Sequence, residues 1–132
     1  MHGITFIPIL YLLLVWTNLQ AQSLYFKNYQ PHDGLSNSSV KCITQDTQGF
    51  LWLGTRNGLN RFDGNQFKIF RHNASDPSSI GSSSILSILT DSKGVLWVGT
   101  TWGTYCYDPV KENFKAFNRI PIGEVNAIHE YA

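Results

Sequence analysis

The chain is poor in charge. Of its 132 residues only 14% are Asp, Glu, Lys or Arg, against roughly 25% in an ordinary globular domain. The 10 Lys and Arg offset the 9 Asp and Glu to a formal charge of +1, so no basic excess points to nucleic acid or to an anionic membrane surface. Helical patterning is missing as well. After residue 21 no window keeps apolar residues at i, i+3, i+4 and i+7 without a Gly, a Pro or a Ser/Asn cluster interrupting it, which excludes long helices. Cysteine is scarce, with only Cys42 and Cys106. Neither has CxxC or metal-ligand spacing, and two thiols in strand-like stretches make no disulfide framework. Buried inert thiols are expected, with a single bridge as the alternative.

Aromatic residues, by contrast, reach 14%, and 11 Gly accompany Ser and Asn between short apolar runs, a composition of strands and turns. The length allows one domain or part of one. Residues 4–16 form a nearly unbroken apolar run of 13, short of the roughly 20 that a membrane-spanning helix needs. Polar Thr17 and Asn18 and the small Ala21 follow. Residues 1–21 therefore read as a secretory signal peptide whose positive charge comes only from the amino terminus and His2, and the mature chain is expected to be periplasmic or secreted.

An internal repeat dominates the remainder. Aligning 46–55 (DTQGFLWLGT) with 91–100 (DSKGVLWVGT) gives six identities in ten at a constant offset of 45. The correspondence continues from Val40 and Ile43 against Ile85 and Ile88, through Gly58 against Gly103, to Phe62-Asp63 against Tyr107-Asp108. After two extra residues Phe67 and Phe70 match Phe114 and Phe117. A period of 40 to 50 residues marks units that cannot bury their own faces alone. Asp46, Gly49, Asn57, Gly58, Asp63 and Gly64 occupy turn positions, where Asp accepts from nearby backbone N–H groups and Gly takes positive φ. Four short strands per unit follow, at 40–45, 50–55, 59–62 and 66–70, and again at 85–90, 95–100, 104–107 and 113–117. Runs such as Phe50-Leu51-Trp52-Leu53 do not alternate with polar residues, so both faces of each sheet should be covered. The expected fold is all-β, two four-stranded antiparallel β-propeller blades packed face to face. Its core should hold Val40, Ile43, Leu51, Trp52, Leu53, Ile85, Ile88, Leu96, Trp97 and Val98.

The run from Asp46 to Phe67, Asp-x-x-Gly-Phe-Leu-Trp-Leu-Gly-Thr-x-x-Gly-Leu-x-Arg-Phe-Asp-Gly-x-x-Phe, resembles the two-component regulator propeller repeat. Asp33-Gly34-Leu35-Ser36 resembles the segment that precedes the first such repeat. The resemblance covers about residues 25–117. It implies the periplasmic sensor region of a hybrid two-component histidine kinase, anchored in the inner membrane when complete, with further blades and a kinase region as partners and an oligosaccharide as ligand. On this reading residues 22–38 are an outer strand without a blade of its own and a lead-in loop. Blade 1 is 39–70, an inter-blade loop is 71–84, blade 2 is 85–117, and 118–132 begins a third blade that stops short. An independent exported binding or scaffolding module, and a truncated copy with no function of its own, are the alternatives. Uncovered blade faces suggest self-association.

No catalytic constellation stands out. Asp46, Asp63, Asp91 and Asp108 are turn formers at equivalent positions, His32, His72 and His129 have no ligand spacing, and no Gly-rich loop opens a helix. Neither a metal, a cofactor nor a nucleic-acid partner is expected. The sequons at Asn37 and Asn73 read as chance matches in Ser-rich loops. Trp102 differs, because it falls in the turn between second and third strands. Alternating turns place it at the same end of the sheets as the unit-to-unit loops, with Arg56, Asn57, His72 and Asn73. A Trp face beside amides and a guanidinium suits a sugar ring, so these five are the candidate ligand-binding residues.

Overall fold

The computed structural model describes residues 23–117 and 123–131. The expected signal peptide lies outside them. Eight strands form two separate antiparallel sheets with the simplest order, each strand beside its sequence neighbour. The first sheet holds β1 (Val40–Gln45), β2 (Leu51–Thr55), β3 (Gly58–Phe62) and β4 (Phe67–Phe70), and the second holds β5 (Ile85–Thr90), β6 (Leu96–Thr100), β7 (Gly103–Asp108) and β8 (Asn113–Ala116). The two sheets are propeller blades, and among the described residues the helical content is one 3-10 turn, Pro31–Asp33.

The repeat motif is explained by its hydrogen bonds. Asp46 accepts from the backbone N–H of Gln48 (2.9 Å) and Phe50 (3.0 Å) and from the Trp52 indole (2.7 Å). Asp91 repeats this with Lys93, Val95 and the Trp97 indole. One carboxylate thus closes the first hairpin and orients the tryptophan six residues on. At the far hairpin Asp63 accepts from Asn65 and Gln66, and Asp108 from Val110 and Lys111. At Asp91, Asp63 and Asp108 these bonds favour the ionised form. The Trp97 indole and the Val95 N–H hold Asp91 below the usual carboxylate range, and backbone N–H groups do the same for Asp63 and Asp108. Folded-state pKa values lower than the unfolded ones mean that this stabilisation is complete above about pH 4 and is lost as pH falls through the depressed values. Urea midpoints should therefore drop below about pH 4, less so for Asp91→Asn; equal midpoints on both sides of that pH would refute the account.

Strand alternation assigns the faces. Cys42, Gly54, Leu59 and Phe70 lie across from one another, in register with Thr44, Trp52, Arg61 and Lys68 one pleat along. This face of blade 1 packs against Leu96, Val98, Tyr107 and Phe114 of blade 2, and the seam is the hydrophobic core. Trp52 is 1% exposed, with its ring 4.8 Å from that of Tyr107 and stacked on Phe70 at 5.7 Å. Ile85 enters a hole that only glycine leaves open: a Cβ on Gly54 would lie 2.6 Å from its Cγ2.

Four expected core residues are half-buried, Leu51, Leu53, Ile88 and Trp97, and two are exposed, Val40 at 39% and Ile43 at 59%. The reason is positional. Val40 and Ile43 are the repeat equivalents of Ile85 and Ile88, but they lie on the face of blade 1 turned away from blade 2, where no sheet among the described residues covers them. Leu35, Leu59, Ile80, Tyr107 and Phe114 are buried instead. Residues 23–30, expected to include an outer strand, join no sheet. Tyr29 lies edge-on to Phe62 (4.9 Å) and Phe67 (5.5 Å). Residues 125–128, expected to open a third unit, form no strand either, but Val125 docks on blade 2. The Val125 N–H donates to the Thr100 carbonyl (3.0 Å), Ser87 Oγ donates to the Val125 carbonyl (2.8 Å), and Val125 fills the space above Gly99 as Ile85 does above Gly54. Cys42 and Cys106 are free, half-buried thiols, and burial pushes the Cys42 thiol up.

Candidate functional site

The β2–β3 and β6–β7 turns, residues 30–39 and residues 71–84 gather at one end of the sheets, because the β1 and β5 starts pair with the β2 and β6 ends. Each Gly-Thr-x-x-Gly turn is locked by its threonine. Thr55 Oγ1 donates to the Gly58 carbonyl (3.0 Å) and accepts from the Asn57 N–H (3.0 Å). Thr100 makes the same pair with the Gly103 carbonyl and the Trp102 N–H, both at 3.0 Å. Gly58 (φ +132) and Gly103 (φ +112) supply the left-handed backbone that such a turn needs.

Below the turns lies a polar plug. Leu35 is buried, the Ser36 N–H donates to Asn60 Oδ1 (2.8 Å), and Asn60 Nδ2 donates to Ser36 Oγ (2.8 Å) and the Leu53 carbonyl (3.1 Å). Ser36 Oγ also contacts Thr55 Oγ1 at 2.7 Å. Blade 2 solves the same packing differently. Ile80 takes the place of Leu35, while Gly81 and Tyr105 stand where blade 1 has Ser36 and Asn60; a Cβ on Gly81 would lie 1.7 Å from the Tyr105 hydroxyl.

The five candidate ligand residues all lie at this end of the sheets. Trp102 is 63% exposed on its locked turn. Arg56 is exposed and takes no salt bridge among the described residues. Asn57 donates through Nδ2 to the Ser36 carbonyl (3.2 Å), and its own carbonyl accepts from Arg71 Nε (2.8 Å). His72 meets the Ile80 carbonyl through Nδ1 (3.0 Å), and Asn73 Oδ1 accepts from the Ser75 N–H (3.0 Å). Asn57, His72 and Asn73 thus shape the loops, and Arg56 and Trp102 keep unused side chains. Trp102 does not line the clefts beside Trp97, Trp52, Ile69 or Lys115. A cleft of about 240 Å³ beside residues 71–80 holds Arg71, Asn73, Asp76, Ser78 and Ser79; of these only Asn73 stands out in the sequence, because the path of the loop along the outer strands is not written in its composition. Among the described residues no cluster of His, Cys, Asp and Glu is arranged to hold a metal ion.

The model of the family described as "Two component regulator propeller" matches residues 34–57 and 79–102, one match ending in each of the two locked turns. Each of the two blades thus carries a segment that matches the two-component regulator propeller repeat. It is 52% identical over 68 residues to "Histidine kinase P4" of Formosa agariphila, an overlap of 52% of this chain but 5% of that protein. Among solved structures it superposes on the extracellular domain assigned to a one component system of B. thetaiotaomicron with a TM-score of 0.54 and 25% identity, over 74% of this chain and 14% of that one. An extracellular domain assigned to a hybrid two component system of the same organism gives a TM-score of 0.45 and 22% identity, over 76% and 22%. The propeller repeats described here therefore span a small fraction of the proteins they match.

Proposed function

We propose that these blades belong to the ligand-sensing propeller of a two-component signalling protein, on the outer side of the inner membrane, and that the turn-and-loop end faces an oligosaccharide. The names of the similar kinase and of the extracellular domains support the signalling role and the location. A single observation carries the ligand class: the exposed Trp102 ring stands on a turn whose backbone is fixed by Thr100. A rigid indole face offers the stacking surface that the C–H face of a sugar ring takes, at little entropic cost. The exposed Arg56 guanidinium supplies donors for hydroxyl groups, with the amide ends that the loop bonds leave over, Asn57 Oδ1 and Asn73 Nδ2, at the same end of the sheets. In this role the blades bind and a kinase region elsewhere carries out the chemistry.

Trp102→Ala in a full-length protein should weaken oligosaccharide binding by about 1 to 3 kcal/mol and leave the melting temperature nearly unchanged. Titration calorimetry with oligosaccharides selected from a glycan array, together with thermal melts, decides it. Unaltered affinity with a large fall in melting temperature would mean that Trp102 packs on a neighbouring blade.

A further inference from the structure

We propose that Glu112 is an ionic latch that closes the outer edge of the seam between the two blades. The β7–β8 turn runs from Asp108 to Asn113, two residues longer than its counterpart from Asp63 to Gln66. Glu112 sits at the end of this insertion with φ +50, alone among the described non-glycine residues in having positive φ, whereas the blade 1 turn uses Gly64 at φ +97. A side chain at such a position is disfavoured unless it contributes something glycine cannot.

What it contributes is a carboxylate that reaches across to blade 1. Oε1 lies 3.0 Å from Arg61 Nη1 on β3, and Oε2 pairs with Lys68 Nζ on β4. Arg61 is itself held in the seam: its guanidinium donates to the Tyr107 hydroxyl (3.1 Å) and lies 4.8 Å from the centre of the Phe50 ring. A single anion on blade 2 therefore satisfies two cations on blade 1. The inner part of the seam is different in kind, since Ile85 against Gly54 is apolar contact without charge. Salt screens the first and leaves the second alone. The seam is thus hinged on its inner strands, and its outer strands part as ionic strength rises.

The test uses the whole chain, melted in low salt and in half-molar sodium chloride. Wild type should lose about 4 °C or more in high salt, and Glu112→Gln less than half of that loss. Lys68→Gln, which removes one cation and leaves Glu112 and Arg61 in place, should also reduce the salt response, and it keeps the test alive if Glu112→Gln folds poorly. Hydrogen exchange supplies a readout that a purely structural turn residue would not move. Amides of β8 should exchange faster in salt in wild type, while those of β1 and β5 stay constant. An equal salt response in wild type and Glu112→Gln would overturn the proposal. So would a Glu112→Gly variant that melts higher at both salt concentrations, because the carboxylate would then be idle and the turn merely strained.

Discussion

Trp52→Ala is expected to leave most of the chain unfolded at room temperature. The side chain is fully buried in the seam, enclosed by Phe70 and Tyr107, and its indole N–H satisfies Asp46. Removing a core Trp costs roughly 3 to 5 kcal/mol, a large part of the 5 to 15 kcal/mol by which an ordinary domain is stable. With Val40 and Ile43 exposed on a face that no described sheet covers, this pair of blades should lie at the lower end of that range. Trp97→Ala should cost distinctly less. Its indole makes the equivalent bond to Asp91, but it borders a groove of about 350 Å³ with Leu89, Thr104, Phe117 and Ile128 rather than a packed blade. Denaturant titration of both variants, at several protein concentrations, measures the difference. Equal losses would show that the Trp97 face is covered in solution, and a concentration dependence would identify the cover as a second copy of the chain.

Gly54→Ala should have the next largest effect. The added Cβ would sit 2.4 Å from Cys42 Sγ and 2.6 Å from Ile85 Cγ2, distances that close-packed interiors do not tolerate. Both neighbours are held by sheets, so the blades must separate, at a cost of about 1 to 3 kcal/mol. Cutting Cys42 and Ile85 back to alanine in the Gly54→Ala background should recover part of the loss. Gly64→Ala is the control. Its surroundings are open but its φ is +97, so it registers backbone strain alone, about 1 kcal/mol. A Gly54→Ala variant as stable as wild type would mean that blade 2 does not sit on blade 1 through Ile85.

The strands and their order were legible because each turn advertises itself through Asp and Gly, and because the offset of 45 doubles every observation. Trp52 could be placed in the core from its apolar neighbours. Val40 could not be told from Ile85 in the same way: equivalent residues have equivalent sequence signals, and only the presence of a neighbouring sheet separates an exposed one from a buried one. The same limit applies at the loop end. Trp102 stands out because an aromatic in a two-residue turn violates turn chemistry, whereas Asn57, His72 and Asn73 have loop-shaping bonds that depend on Ser36, Ile80 and Ser75 at positions no motif specifies. Arg61 belongs to the repeat motif, but its bridge to Glu112 arises from a two-residue insertion in another blade.

The exchange of Ser36 and Asn60 for Gly81 and Tyr105 has a consequence for how such arrays can evolve. Consider unequal recombination between the two copies of the repeat. A junction falling between the two members of a pair would set a serine against the tyrosine, where even a single Cβ meets the phenol at 1.7 Å. The reciprocal product would leave asparagine facing glycine, with the hydroxyl that Asn60 uses in Ser36 gone. Exchanges that keep each lead-in with its own third strand carry no such defect. The inheritable module is then the stretch from lead-in to third strand, and one blade's lead-in cannot be grafted onto another without its partner.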